Sequence, residues 1–138
     1  MIQTKKVALQ TKGNADAHDI TDAVARCVRE TELRSGTVTL FCPSSTSALT
    51  TIEFEPGAVS DLRRLFDELA PPDRRYAHEE RWHDGNGHSH VRAALLGPSL
   101  VVPFVDGSMT LGTWQQILYL DFDIRPRRRE FVVQIAGE

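Results

Sequence analysis

Long apolar runs are missing from this 138-residue chain, and so is any strong excess of charge of one sign. Nothing in it reaches the stretch of about 20 apolar residues that a membrane-spanning helix needs, and residues 1–6 (Met-Ile-Gln-Thr-Lys-Lys) lack the apolar core of a secretion signal. A net charge of −3 provides no basic field to draw in nucleic acid or an anionic membrane. Two cysteines, Cys27 and Cys42, are too few for a disulfide framework. Aromatics make up only 7% of the chain, and no repeat, heptad or low-complexity segment occurs. These absences leave a single domain over residues 1–138, expected in the reducing cytoplasm, with 41% apolar residues to build a core.

Periodicity then divides the chain. Residues 5–10 read as a strand closed by Gly13-Asn14. Asp19 is placed to cap a helix with Ile20, Val24, Cys27 and Val28 on one face, which Ser35-Gly36 would end. Residues 37–42 alternate as a strand, and residues 48–54 follow as another. Val59, Leu62, Leu65, Phe66 and Leu69 form a helical stripe stopped by Pro71-Pro72. Residues 76–87 look irregular, and residues 91–96 form a short helix before Gly97-Pro98. Residues 100–105, 109–111, 113–122 and 130–135 read as strands, with Asp106-Gly107 as a hairpin turn. Helices early and consecutive strands late predict an α+β fold with a largely antiparallel sheet.

Three segments carry the chemistry. Four of the five histidines, His78, His83, His88 and His90, fall within thirteen residues. Imidazole is the commonest ligand for zinc-like ions, and such a site needs several donors brought together at short range. In an extended His88-Ser89-His90 both rings would share a face; in a first helical turn they would diverge. Glu79, Glu80, Asp84 and Asn86 could serve a harder ion. The competing reading is a solvated polar loop, since no closed zinc spacing is matched. The second segment is Ser44-Ser45-Thr46-Ser47-Ala48, a hydroxyl-rich turn that either cradles phosphate or is a turn and nothing more. Near it, Glu53 reads as a general base or a surface carboxylate, and Asp61 as an acid or a first-turn charge. The third is Gly112-Thr113-Trp114-Gln115-Gln116, where an indole beside two amides suits a planar heterocycle or packs into the core. Arg125, Arg127, Arg128 and Arg129 read as a solvated turn, an ion-paired contact or a phosphate site.

In order and spacing these segments resemble one family. Residues 45–53 (Ser-Thr-Ser-Ala-Leu-Thr-Thr-Ile-Glu), Asp61-Leu62, Tyr76-Ala77-His78, residues 84–90 (Asp-Gly-Asn-Gly-His-Ser-His), residues 96–99 (Leu-Gly-Pro-Ser), Pro103, Asp106-Gly107 and residues 111–115 (Leu-Gly-Thr-Trp-Gln) are similar to the markers of the YjbQ-like group, often labelled secondary thiamine-phosphate synthase. The resemblance implies a compact fold of sandwiched, mainly antiparallel sheets with a few helices. It implies a homotrimer with the site near subunit boundaries, and a divalent metal (zinc first, magnesium or manganese as alternatives) held by His78, His88 and His90. The linked reaction joins a pyrimidine pyrophosphate to a thiazole phosphate and releases pyrophosphate, so a small phosphorylated metabolite is the expected partner. On that reading Ser45, Thr46, Ser47 and Asn86 bind phosphate or substrate, and Glu53, Asp61, Trp114 and Gln115 are the catalytic candidates. Ser44 stands where many members carry a histidine, so a metal site here must lose that ligand or recruit another. A non-catalytic trimer that binds a metal or phosphometabolite is the alternative.

Overall fold

The computed structural model describes all 138 residues. Eight strands and four helices follow in the order β1 (Ile2–Thr11), β2 (Asp16–Asp19), α1 (Thr21–Glu30), β3 (Gly36–Phe41), β4 (Ser47–Ile52), α2 (Pro56–Leu69), α3 (Ala77–Trp82), α4 (Gly87–Leu96), β5 (Ser99–Val105), β6 (Ser108–Met109), β7 (Gln116–Asp121) and β8 (Arg127–Gly137). They build two antiparallel sheets, ordered β1-β8-β3-β5-β6 and β2-β7-β4. The first and last strands of the chain are neighbours, registered from Ile2 opposite Ala136 to Thr11 opposite Arg127. The expected antiparallel α+β fold is therefore present.

Side-chain alternation explains the layering. Val38 and Leu40 of β3, Phe131, Val133 and Ile135 of β8, and Val102 and Phe104 of β5 point inward from the large sheet. They meet Leu49, Ile117 and Tyr119 of the small sheet and Ile20, Val24, Cys27 and Val28 at α1. The other face of the small sheet, through Ala48, Leu118, Leu120 and Phe122, packs on Phe66 of α2 and Ala93 of α4. The small sheet is thus covered on both sides. That is why residues 117–122 (Ile-Leu-Tyr-Leu-Asp-Phe) form a nearly unbroken apolar run, as strands buried on both faces do. Phe66 meets Phe122 edge to face with centroids 4.9 Å apart, and Arg92 of α4 ties to α2 by donating to the Ala70 carbonyl and to Asp67, each at 3.0 Å.

Several boundaries differ from the sequence reading. The first helix ends at Glu30, because Glu32 turns left-handed at φ 62°. Gly36 opens β3 instead of ending α1; a Cβ there would lie 2.0 Å from the Ala136 carbonyl oxygen across the ladder. Asp19 does act at the α1 entrance, accepting from the Thr21 N–H and hydroxyl at 3.0 and 2.6 Å. Asp106 and Gly107 both have positive φ, 51° and 77°, as a two-residue primed hairpin turn requires. The strand expected over residues 113–122 begins only at Gln116, so Trp114 stands on a turn and is 73% exposed. It is not a core indole. Helix α3 lies inside the segment expected to be irregular, and α4 starts at Gly87, one turn earlier than its apolar pattern indicated. His88-Ser89-His90 are therefore helical, and the extended arrangement with both rings on one face is ruled out.

Candidate functional site

Two short helices and one loop build the histidine region. Helix α3 ends at His83, left-handed at φ 50°, and Gly85 at φ 71° turns the chain into α4. The junction is tight: the Gly87 N–H donates to Glu79 Oε1 at 2.6 Å, and a Cβ on Gly87 would lie 2.4 Å from that of Tyr76. This packing sets the rings of His78 on α3 and His90 on α4 with centroids 4.3 Å apart at a 38° tilt. Asp84 Oδ1 lies 3.4 Å from His78 Nδ1. His90 also meets the backbone of Ser45, which brings the serine loop against α4. Burial holds the His90 imidazole below its ordinary pKa, and the neighbouring His78 lowers it further. The His90 ring is thereby favoured as a neutral imidazole, the form that can offer a lone pair.

His88 does not join them. Two positions back along the helix its ring turns away from His90, toward Tyr76 with centroids 6.3 Å apart, and is only 3% exposed. Burial, and after it the Arg92 charge, keep it below the ordinary histidine pKa. No group of three or more His, Cys, Asp or Glu side chains is arranged to hold a metal. The expected trio His78, His88 and His90 is thus not brought together: His78 and His90 meet, with Asp84 beside His78, and His88 stands apart. Divergence along a helical turn is the physical reason. A further mark distinguishes these side chains: the buried nitrogens His78 Nδ1 and His88 Nδ1 have no hydrogen-bond partner.

The hydroxyl loop divides in a way that its sequence conceals. Ser44, Ser45 and Ser47, with His90, Ala93, Ala94 and Pro98, border an open cavity of about 350 Å³. Thr46, Ser47 and Asn86, all expected to bind substrate, are buried and engaged inside the fold. The Ser47 hydroxyl pairs with the Tyr119 hydroxyl at 2.8 Å. Thr46 Oγ1 accepts from Arg129 Nη2 at 2.9 Å and donates to Asp123 Oδ2 at 3.2 Å. The Asn86 amide donates to Asp123 Oδ1 at 3.3 Å, while its oxygen accepts from Ser89 Oγ at 2.7 Å and from the Ile124 N–H at 3.2 Å. Arg129 is pinned by Asp121, whose carboxylate takes two of its N–H groups at 2.7 and 3.2 Å and the Thr11 hydroxyl at 2.6 Å. Burial alone would raise the Asp123 carboxyl, but the Arg125 N–H, the Asn86 amide, Arg127 and the Thr46 hydroxyl together hold it low.

Sequence reading missed this network. Asp121 and Asp123 sit within the apolar strand and just after it, and charged residues at such positions were the available signal. The basic run splits accordingly: Arg129 is a structural partner of Asp121, Arg127 pairs with Asp123 at 3.3 Å, and Arg128 with Glu130 at 2.8 Å.

The four catalytic candidates lie elsewhere. Glu53 is exposed beyond the end of β4. Asp61 is on the outer side of α2, ion-paired to Arg64 at 3.0 Å. Neither is hydrogen-bonded or ion-paired to a histidine. Trp114 projects from its turn, and Gln115 accepts from the Gly112 N–H at 3.0 Å and donates to Thr51 Oγ1 at 3.2 Å.

Comparison with known proteins gives a consistent result along the whole chain. A family model described as "UPF0047 protein YjbQ-like" matches residues 5–138. A UPF0047 protein of Archaeoglobus fulgidus is 40% identical over 129 residues, spanning 94% of this chain and 98% of the relative. The UPF0047 protein YugU of Bacillus subtilis is 33% identical over 135 residues, 96% of this chain and 98% of its own. Among solved structures, a YbjQ-like protein of unknown function from Sulfolobus solfataricus P2 superposes with a TM-score of 0.94 at 30% identity, covering 100% of this chain and 99% of that one. A hypothetical protein of Aeropyrum pernix K1 gives 0.91 at 29% identity, with 99% of each chain covered.

Proposed function

The chain belongs to the YjbQ-like UPF0047 family, and on that premise we propose that His78 and His90 hold a divalent metal beside a cavity that takes a phosphorylated metabolite. The observation that supports this reading is the ring-to-ring placement of His78 and His90 with a buried, unpartnered His78 Nδ1 at its edge. Two imidazoles with one carboxylate nearby suit an open site, in which the remaining positions are left to ligand oxygens or to a group from a neighbouring subunit. They do not make a closed structural zinc site. Zinc is the ion that suits these donors best, with magnesium or manganese as the alternatives.

When bound, such an ion would supply Lewis-acid stabilisation of charge on a phosphate. The chain's own groups do the rest. Ser44 and Ser45 border the cavity, and the Arg129–Thr46–Asp123 links keep their loop in place. Burial keeps His90 neutral and available. The finer form of the proposal is a thiamine-phosphate synthase-like transfer, in which a thiazole phosphate displaces pyrophosphate from a pyrimidine pyrophosphate. A site shared between copies in a homotrimer would bring further groups to His78 and His90. Exposed Phe41, Val101 and Val105 on the outer side of the large sheet are the apolar surface that such an assembly would cover.

One observation favours the second reading, a binding protein without turnover: neither Glu53 nor Asp61 bonds to the histidines, and the hydroxyl–carboxylate pair of the serine loop, Thr46 with Asp123, is buried inside the fold. Elemental analysis of the purified protein beside His78→Ala and His90→Ala, followed by turnover of the two phosphorylated substrates, tests both. Loss of bound metal in both variants with turnover in the parent supports the enzyme. Metal binding without turnover supports the binding protein. Equal metal content in all three proteins rejects the site.

A further inference from the structure

The two sheets approach each other at a seam that no ladder closes. Strand β4 is the outermost strand of the small sheet, and β5 pairs with β6 only through Phe104 and Val105. Residues 49–51 and 99–102 therefore present open strand edges. One end of the seam is shut by the Leu49 N–H donating to the Gly97 carbonyl at 3.1 Å, and the other by the Thr110 N–H and hydroxyl donating to the Pro103 carbonyl at 2.9 and 3.1 Å. Backbone groups of alternate residues in a strand point to the same edge. The direction of Leu49 thus fixes that of Thr51, and the direction of Pro103 fixes that of Val101. Both residues turn their peptide groups toward the gap.

A cavity of about 390 Å³ fills this gap, within the range of small-molecule sites. Leu96, Leu100 and Leu111 line it together with Thr50, Ser99 and Gln115, and no charged side chain takes part. The exposed indole of Trp114 is the residue next to Gln115 in the chain.

We propose that this seam binds a small uncharged planar heterocycle with donor and acceptor atoms along one edge, as in a nucleobase. The edge would pair with the peptide groups of Thr51 and Val101, the Gln115 amide would fix the register, and Trp114 would cover the ring face. The class follows from what the cavity offers. Without a cation in its walls it does not suit a phosphate or carboxylate. With only Thr51 beyond Leu49 on the β4 edge, and Ser99 and Val101 on the β5 edge, it is too short to add a peptide strand. Its lining includes no histidine, and it lies across the Gly97-Pro98 link from the His90 cavity. The inference accordingly stands apart from the metal reading.

The chain has two tryptophans, so Trp82→Phe leaves Trp114 as the sole indole reporter. This protein, in the presence of a chelator, is titrated with cytosine, adenine and nicotinamide. Ligand-observed NMR with the unsubstituted chain reads the same binding without any substitution. The expected result is a saturable change in Trp114 emission with at least one of the three, weakened about tenfold by Gln115→Leu, as for a lost hydrogen bond. Ser99→Phe, which fills the cavity, should abolish it, with thermal midpoints showing that both variants remain folded. Absence of saturable binding in both measurements overturns the proposal, and so does affinity unchanged by Ser99→Phe. Because the chelator removes metal, a failed metal site leaves this outcome unaffected.

Discussion

The two sides of the histidine region treat their polar atoms differently. On the side formed by β7, β8 and the serine loop, Asp121, Arg129, Thr46, Asp123 and Asn86 satisfy one another in a buried network. On the side formed by α3 and α4, both buried side-chain nitrogens that lack partners are imidazole Nδ1 atoms, of His78 and His88. Buried polar groups are ordinarily paired, so a satisfied network is architecture and an unsatisfied group needs an explanation. For His78, next to His90 and Asp84, the explanation offered is a ligand. His88, enclosed beside Tyr76 and Arg92, is a neutral buried ring that helps to seat α4.

Breaking the satisfied side should produce the largest effect. Arg129→Ala leaves the Asp121 carboxylate buried without its main partner, and a loss of about 3–5 kcal/mol in denaturant unfolding is expected. Asn86→Ala removes the amide that links α4 to Asp123 and leaves the Ile124 N–H without its acceptor, while the Ser89 hydroxyl keeps the Phe122 carbonyl, for a loss of about 1–3 kcal/mol. On the unsatisfied side, His78→Ala should lower stability by less than either, while removing bound metal. An Arg129→Ala protein as stable as the parent would show that the network is not the support described here.

Acidification sharpens the same contrast. The folded-state pKa values of His88 and His90 lie below the ordinary 6.5, so the unfolded chain binds more protons than the folded one as pH falls through that value. The stability tied to the neutral rings is therefore fully present above pH 6.5 and is lost progressively below it. Thermal midpoints of the metal-free protein should fall between pH 7.5 and 5.5, and His88→Leu should flatten the slope. A midpoint that rose on acidification would contradict the sign. The smallest effect is expected from Val101→Asp: on the homotrimer proposal, light scattering should report a smaller assembly than for the parent, with the monomer still folded.

Much of this was legible in the chain. The α2 stripe, the Asp106-Gly107 hairpin and the apolar run of β7 each follow from local pattern. The start of α4 was not, because residues 87–90 (Gly-His-Ser-His) lack helical apolar spacing; tertiary contacts of Gly87 with Tyr76 and Glu79 seat that first turn. In the site, the proximity of His78 and His90 was suggested by clustering, but their separation from His88 depends on helical phase, which the sequence left open. The serine loop misled for a related reason. Ser45 and Thr46 look alike in sequence, yet one faces the cavity side and the other is enclosed by Arg129 and Asp123, residues more than seventy positions away.

The most direct test is metal content by elemental analysis, after equilibration with zinc and gel filtration, of the parent chain and its His78→Ala, His90→Ala and His88→Ala variants. The account predicts that zinc stays with the parent and with His88→Ala and is lost from the other two. Retention by His78→Ala and His90→Ala, or loss only from His88→Ala, would contradict it.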